Sequence, residues 1–170
     1  MTKISAGYNA VLDALHVLAG VVIVTVFVLI VADVFMRVVG IPPWTYISAL
    51  VEYGLLWFTM LAAPWLARTK GHVFIDAITL LLPPPIQRFV AKFAYAVCIC
   101  TTLVFSLFSF DMLIEAIEMG QIDTRGEDMP QWTLLLPMPF CFLMVSIEFG
   151  RYLIGIDDMY GDRTDAKDSV

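Results

Sequence analysis

Few residues in this 170-residue chain are of types that do chemistry, and their spacing limits what they could do. The two histidines are His16 and His72. A membrane haem held by two histidines needs both deep among the helices. His16 lies near one end of an apolar block and His72 lies outside any. Cys98 and Cys100 are two apart, about 200° around a helix, so they cannot chelate a metal together from one. With Cys141 they sit inside apolar blocks and read as small buried apolar residues. There is no phosphate-cradling glycine loop, no Ser/His/Asp set and no cluster with metal-ligand spacing. The remaining ionisable groups occur at helical spacings. Asp33 and Arg37 are four apart, Glu148 and Arg151 three apart, and each spacing permits a local ion pair. Glu52 stands one turn into an apolar block. A charge near a bilayer centre costs roughly 2.5–3.5 kcal/mol, so it needs a reason. Glu52 reads as a packing or anchoring residue near an interface, with a proton or cation site as the alternative. The expectation is a protein that is not an enzyme and carries no cofactor of its own.

The elements that position these residues are long apolar blocks. The chain is 60% hydrophobic and 15% charged, with a mean hydropathy of +0.84. Soluble domains carry about 25% charge. Four blocks reach the roughly 20 residues needed to cross a hydrocarbon core of about 30 Å. They run over about 14–36, 48–67, 89–110 and 131–155. The first is long for a signal peptide and lacks a small-x-small cleavage site, so it reads as a retained span. The fold class expected is an all-α membrane protein in a single membrane domain, with four transmembrane helices and a short amphipathic interfacial helix. The net charge of −6 belongs to loops and ends, and does not suggest nucleic acid.

Basic residues orient the spans. Lys3, Arg68, Lys70, Arg88, Lys92, Arg151, Arg163 and Lys167 fall on the side of the termini, against Arg37 and Arg125 on the other. Both termini are therefore expected in the cytoplasm. The connection from Asp111 to Gln131 is acidic and faces outward. Its start, "DMLIEAIEMG", keeps helical spacing, so the third helix should extend past the membrane and stop at Gly120. Pro137 and Pro139 should kink the fourth span or delay its start. Lys92 is placed to snorkel.

Between the second and third spans, residues 72–82 form an apolar run of about 16 Å as a helix, too short to cross. His72, Asp76 and Thr79 share one narrow face. That suits a helix lying along the interface or packed on another subunit, stopped by Pro83–Pro85. On the second span, Ser48, Glu52, Thr59 and Ala63 form a small polar stripe suited to close helix packing. Trp57, Phe58, Leu61 and Trp65 form a roughly opposite aromatic face, suited to lipid or a partner protein. Residues 156–170 form an acidic tail.

In order along the chain, "DVFMRVVG", Trp44, "VEYGLLWFTMLAAPWLARTKGHVFID", "LLPPPIQR" and Pro130-x-Trp132 resemble the small membrane subunit, DctQ type, of tripartite ATP-independent periplasmic (TRAP) transporters. The matching positions are Arg37, Gly40, Trp44, Glu52, Ala62, Ala63, Arg68, Gly71, His72 and Asp76, then Pro130, Trp132 and Pro137. The resemblance implies a multi-pass protein of the bacterial inner membrane, in a sodium-driven importer of organic acids or related solutes. Its partners would be membrane lipids, a large permease subunit carrying the solute and sodium sites, and a periplasmic substrate-binding protein. The small subunit would brace the large one and help dock the binding protein. The residues expected at such interfaces are Arg37, Trp44, Glu52, Trp57, Arg68, His72, Asp76 and Trp132. A four-helix membrane redox or quinone-linked subunit is the alternative, and it would need histidine or cysteine ligands deep in the bundle.

Overall fold

The structure, a computed structural model, describes residues 3–42, 44, 46–69, 84–123 and 128–154. Three long helices come first: α1 (Lys3–Val39), α2 (Tyr46–Arg68) and α3 (Pro84–Glu118). A hairpin of two-residue strands follows, β1 (Ile122–Asp123) and β2 (Met129–Pro130), paired antiparallel. The short α4 (Trp132–Leu135) and α5 (Pro137–Ile154) complete the described chain. Four stretches are long and apolar enough to cross a membrane: Gly7–Val39, Tyr46–Arg68, Phe89–Glu118 and Trp132–Ile154. The four expected spans are present. The interfacial helix expected over 72–82 and the tail over 156–170 lie outside the described residues.

Helix ends follow the local chemistry. Gly40 and Gly120 adopt φ of 80° and 59°. After α1, the Ile41 amide bonds Met36 O at 2.9 Å and the Gly40 amide bonds Arg37 O at 3.2 Å. After α3, Gln121 and Gly120 do the same to Ala116 and Ile117. This pattern satisfies terminal carbonyls and uses a glycine where a Cβ would be strained. α3 has 35 residues, about 52 Å of helix, so it does extend well beyond a core of about 30 Å.

The fourth span is continuous in direction but chemically interrupted. Leu136, between α4 and α5, keeps α-helical dihedrals (φ −51°, ψ −48°). Pro137 has no N–H, so the Thr133 carbonyl loses its helical donor. The indole Nε1 of Trp57 replaces it at 3.0 Å. The Ser106 hydroxyl donates to Pro139 O at 2.9 Å.

α1 packs on α2, α2 on α5 and α5 on α3, while among the described residues α1 and α3 do not pack together. From Tyr8 to Met36, apart from Asn9 and Ile23, each α1 residue that is not exposed falls on alternating steps of four and three. These are Tyr8, Leu12, Leu15, Ala19, Val22, Val26, Leu29, Asp33 and Met36. That is the seam of a left-handed helix pair. At its closest point a Cβ built on Gly54 of α2 would strike Val26 Cγ2. The other faces of α1 are apolar and bare, with Val21, Phe27 and Phe35 at 58–66% exposure. Water would not tolerate such a surface, whereas a bilayer accepts it.

Apolar clusters run along the bundle. Ala67, Ala91, Tyr95, Val145, Phe149 and Tyr152 join α2, α3 and α5 at the end where α1 begins and α5 finishes, the terminal end. Ala19, Leu61 and Cys141 join α1, α2 and α5 midway. Leu113, Ala116 and Leu135 lie at the opposite, hairpin end.

Candidate partner interface

α2 is the helix with neighbours on two sides, α1 and α5, and this decides which of its faces remains free. Trp57 and Phe58 pack against the midway cluster, and Leu61 belongs to it. The Trp65 ring stacks on His16 at 3.9 Å between centroids, with 18° between planes. The aromatic face therefore packs within the chain, and does not form the lipid or partner face expected for it. The exposed residues of α2 are Ser48, Glu52, Leu55, Thr59 and Leu66, spaced four, three, four and seven apart. Ser48, Glu52 and Thr59 of the small polar stripe are thus outward, while Ala63, the fourth residue expected on it, packs against the cluster at the terminal end. Thr59 satisfies its own hydroxyl on Leu55 O at 2.7 Å, so its polarity is muted and the stripe can meet an apolar neighbour closely.

The hairpin end carries Arg37, Trp44 and Trp132 of the eight sequence-expected residues. Arg37 bonds Asp33 at 2.9 Å, as expected from their spacing, with its side chain 59% exposed. Trp44 is 59% exposed and stacks on Tyr46 at 5.6 Å. Trp132 is 39% exposed at the start of α4. Tyr53 donates to Asp123 at 3.2 Å and ties the hairpin to α2. Ile117, Met119 and Ile122 remain more than half exposed beside Glu115, Glu118 and Asp128. The six of the eight expected residues that are described do not converge on one pocket. Arg68 lies half-buried at the far end of α2, and His72 and Asp76 lie outside the described residues.

The terminal end holds a polar cluster that sequence reasoning saw only as one spacing. Glu148 is 2% exposed and pairs with Arg151 at 3.3 Å. Arg151 also lies over the Tyr8 ring, 5.9 Å from its centroid. The Tyr152 hydroxyl shares its proton between the open α2 carbonyls of Ala67 (3.0 Å) and Arg68 (2.8 Å). Tyr8 and Tyr152 were missed because apolar blocks hide tyrosines. The four-and-three spacing that puts Tyr8 in the α1 seam was the available signal. Among the cysteines, Cys98 is half-buried, Cys141 buried and Cys100 exposed, against the expectation that all three are buried. Cys100 lies on an exposed face of α3, and a small apolar side chain is equally at home against lipid.

The bundle described so far, with four spans and bare apolar faces, agrees with one family model. The model for the DctQ component of tripartite ATP-independent periplasmic transporters matches residues 26–155. The chain belongs to this family. A relative from Pseudomonas aeruginosa, the "C4-dicarboxylate TRAP transporter small permease protein DctQ", is 28% identical over 116 residues. That match covers 66% of this chain and 54% of the relative, so the chain spans about half the length of the curated relative it matches. No solved structure matches. Family and spans together make this a small TRAP permease subunit, a multi-pass protein of the inner membrane.

Proposed function

We propose that this subunit is a non-catalytic membrane scaffold of a sodium-driven, binding-protein-dependent importer of organic acids or related solutes. It braces a large permease subunit and supplies part of the surface on which the periplasmic binding protein docks. The solute and sodium sites belong to the large subunit. Both termini lie in the cytoplasm, which places the acidic hairpin end on the periplasmic side.

The observation that carries this reading is the outward stripe of α2. Ser48 and Thr59 on that stripe are small, so another helix can approach the α2 backbone closely there, and lipid tails gain nothing from such a surface. The exposed apolar residues of the hairpin end, beyond the bilayer, likewise suit a covering protein.

Reconstitution tests the proposal. Liposomes carrying this chain alone, the chain with its large subunit, and both with the periplasmic protein are compared under an inward sodium gradient. Uptake of solute should appear only in the complete system. Uptake by this chain alone would refute the scaffold role.

A further inference from the structure

The end of α3 carries charge and apolar surface side by side. Ser109, Leu113 and Ala116 are its packed side. At 3.6 residues per turn, Asp111, Glu115 and Glu118 fall opposite that side, and all three are exposed. They form an acidic ridge about 10 Å long. Exposed Met112 and Met119 flank the ridge on one side, and exposed Ile114 and Ile117 on the other. Ile122 of β1 and Asp128, just before β2, carry the same mixture onto the hairpin.

Depth and charge narrow what this surface meets. Residues 93–110 hold no acidic or basic residue, and as helix they nearly fill a core of about 30 Å. The head-group layer adds roughly 5–7 Å on each side. Ile117 and Met119 lie about 9 and 12 Å past Asp111 along the helix, beyond that layer. Met119 is nevertheless 68% exposed. Exposed apolar groups with a polar border mark a protein contact. The stretch 111–131 carries six acidic residues and one basic, a net charge of −5, and Arg37 is taken by Asp33 at 2.9 Å. Two copies meeting here would repel, and so would anionic lipid head groups. Among the described residues no three acids, histidines or cysteines are grouped to hold a metal ion, and a bare cation would leave the apolar flanks uncovered.

We propose that the α3 ridge docks a row of lysine or arginine side chains bordered by apolar groups on a soluble protein, and that the periplasmic binding protein carries this face. The choice of partner rests on the transport reading above. Opposite charges speed the encounter, and the apolar flanks, once covered, slow departure.

The test places the full-length chain with its large subunit in phosphatidylcholine nanodiscs and measures binding-protein association and dissociation by biolayer interferometry. Sodium is fixed and potassium chloride varied. Association should slow about tenfold between about 30 and 300 mM salt. At low salt, Glu115→Gln with Glu118→Gln should slow it about threefold, and Glu115→Lys with Glu118→Lys about tenfold. Ile117→Ser with Met119→Ser should leave association unchanged and speed dissociation about tenfold. All four positions are exposed, so the variants should fold, which circular dichroism checks. Light scattering should give one particle size at both salts. Wild-type rates in both charge variants, faster association by the lysine variant, growth in size at high salt (the mark of a second copy), or loss of docking on removing divalent cations would each overturn the proposal. Charge variants that dock as wild type with solute uptake intact would overturn this docking mode alone, whereas a wild-type complex that never docks the binding protein would refute the transport reading with it.

Discussion

Removing the indole N–H at position 57 gives a sharp test of how the fourth span is held together. In Trp57→Phe the Thr133 carbonyl loses the donor that stands 3.0 Å away. Pro137 cannot replace it, because proline has no N–H to give. Hydrogen bonds between membrane helices average about 0.6 kcal/mol and reach about 1.7. An acceptor left unsatisfied in a buried place costs about 1–3 kcal/mol. A value near 1 kcal/mol for the lost bond satisfies both ranges. The smaller ring adds about 1 kcal/mol for packing against Leu61 and Cys141, giving a total of about 2. The structure then predicts a coupling. Pro137→Ala returns an amide to the Thr133 carbonyl along a backbone that is already helical at Leu136. In that background the Trp57 N–H is redundant, and Trp57→Phe should cost only the packing share. A double-mutant cycle should therefore show a coupling of about 1 kcal/mol. The measurement is reversible unfolding in mixed micelles, followed by far-ultraviolet circular dichroism. Additive effects within about 0.3 kcal/mol would mean that the proline and the indole are unrelated, and the account of this span would be wrong.

Two further perturbations address other links. Gly54→Ala should destabilise by about 1–3 kcal/mol through collision with Val26, although the same change in an unobstructed helix gains up to about 1 kcal/mol; Val26→Ala should restore the loss, and a stabilised single variant would refute the close α1–α2 contact. For orientation, alkaline phosphatase fused after Gly120 should be active and the same enzyme fused at Val170 inactive; the reverse pattern would place the termini outside.

The spans were legible because each satisfies one condition, an apolar length, which a single sequence displays openly. The ion pairs Asp33–Arg37 and Glu148–Arg151 were legible for a similar reason, since both partners lie on one helix and helix geometry fixes their separation. Contacts between helices were not. In water, burial selects apolar residues, and a helix's hydrophobic side announces its neighbour. In lipid the solvent is as apolar as the core, so that signal is lost. The α1 seam runs through Leu12, Ala19 and Val26, while Val21, Val24 and Phe27 beside it face outward with the same chemistry. Only the four-and-three spacing of Tyr8, Ala19 and Asp33, residues that are small or polar, marks the packed side. The proline at 137 foretold a bare carbonyl at Thr133, but the donor lies 76 residues away on another helix, at a distance only the fold can close.

The inversion on α2 follows from the same physics. Bulky aromatic groups on a membrane helix look like surfaces offered to lipid or to a large partner, and small polar residues look like an internal contact. Here α2 lies between α1 and α5, and the space between three helices needs volume. Trp57, Phe58 and Leu61 fill it against Ala19 and Cys141, small residues on the neighbouring helices. With the aromatic volume spent inside, the outward stripe is left to Ser48, Leu55 and Thr59, low enough in profile for another backbone to approach. Glu52 on that stripe then specifies more than contact. An apolar stripe would let a partner helix slide or rotate at little cost, whereas a carboxylate near the membrane edge favours the one register in which its polar contacts are kept. The bracing role proposed above needs a fixed geometry, and a flat stripe marked by a single charge is suited to it.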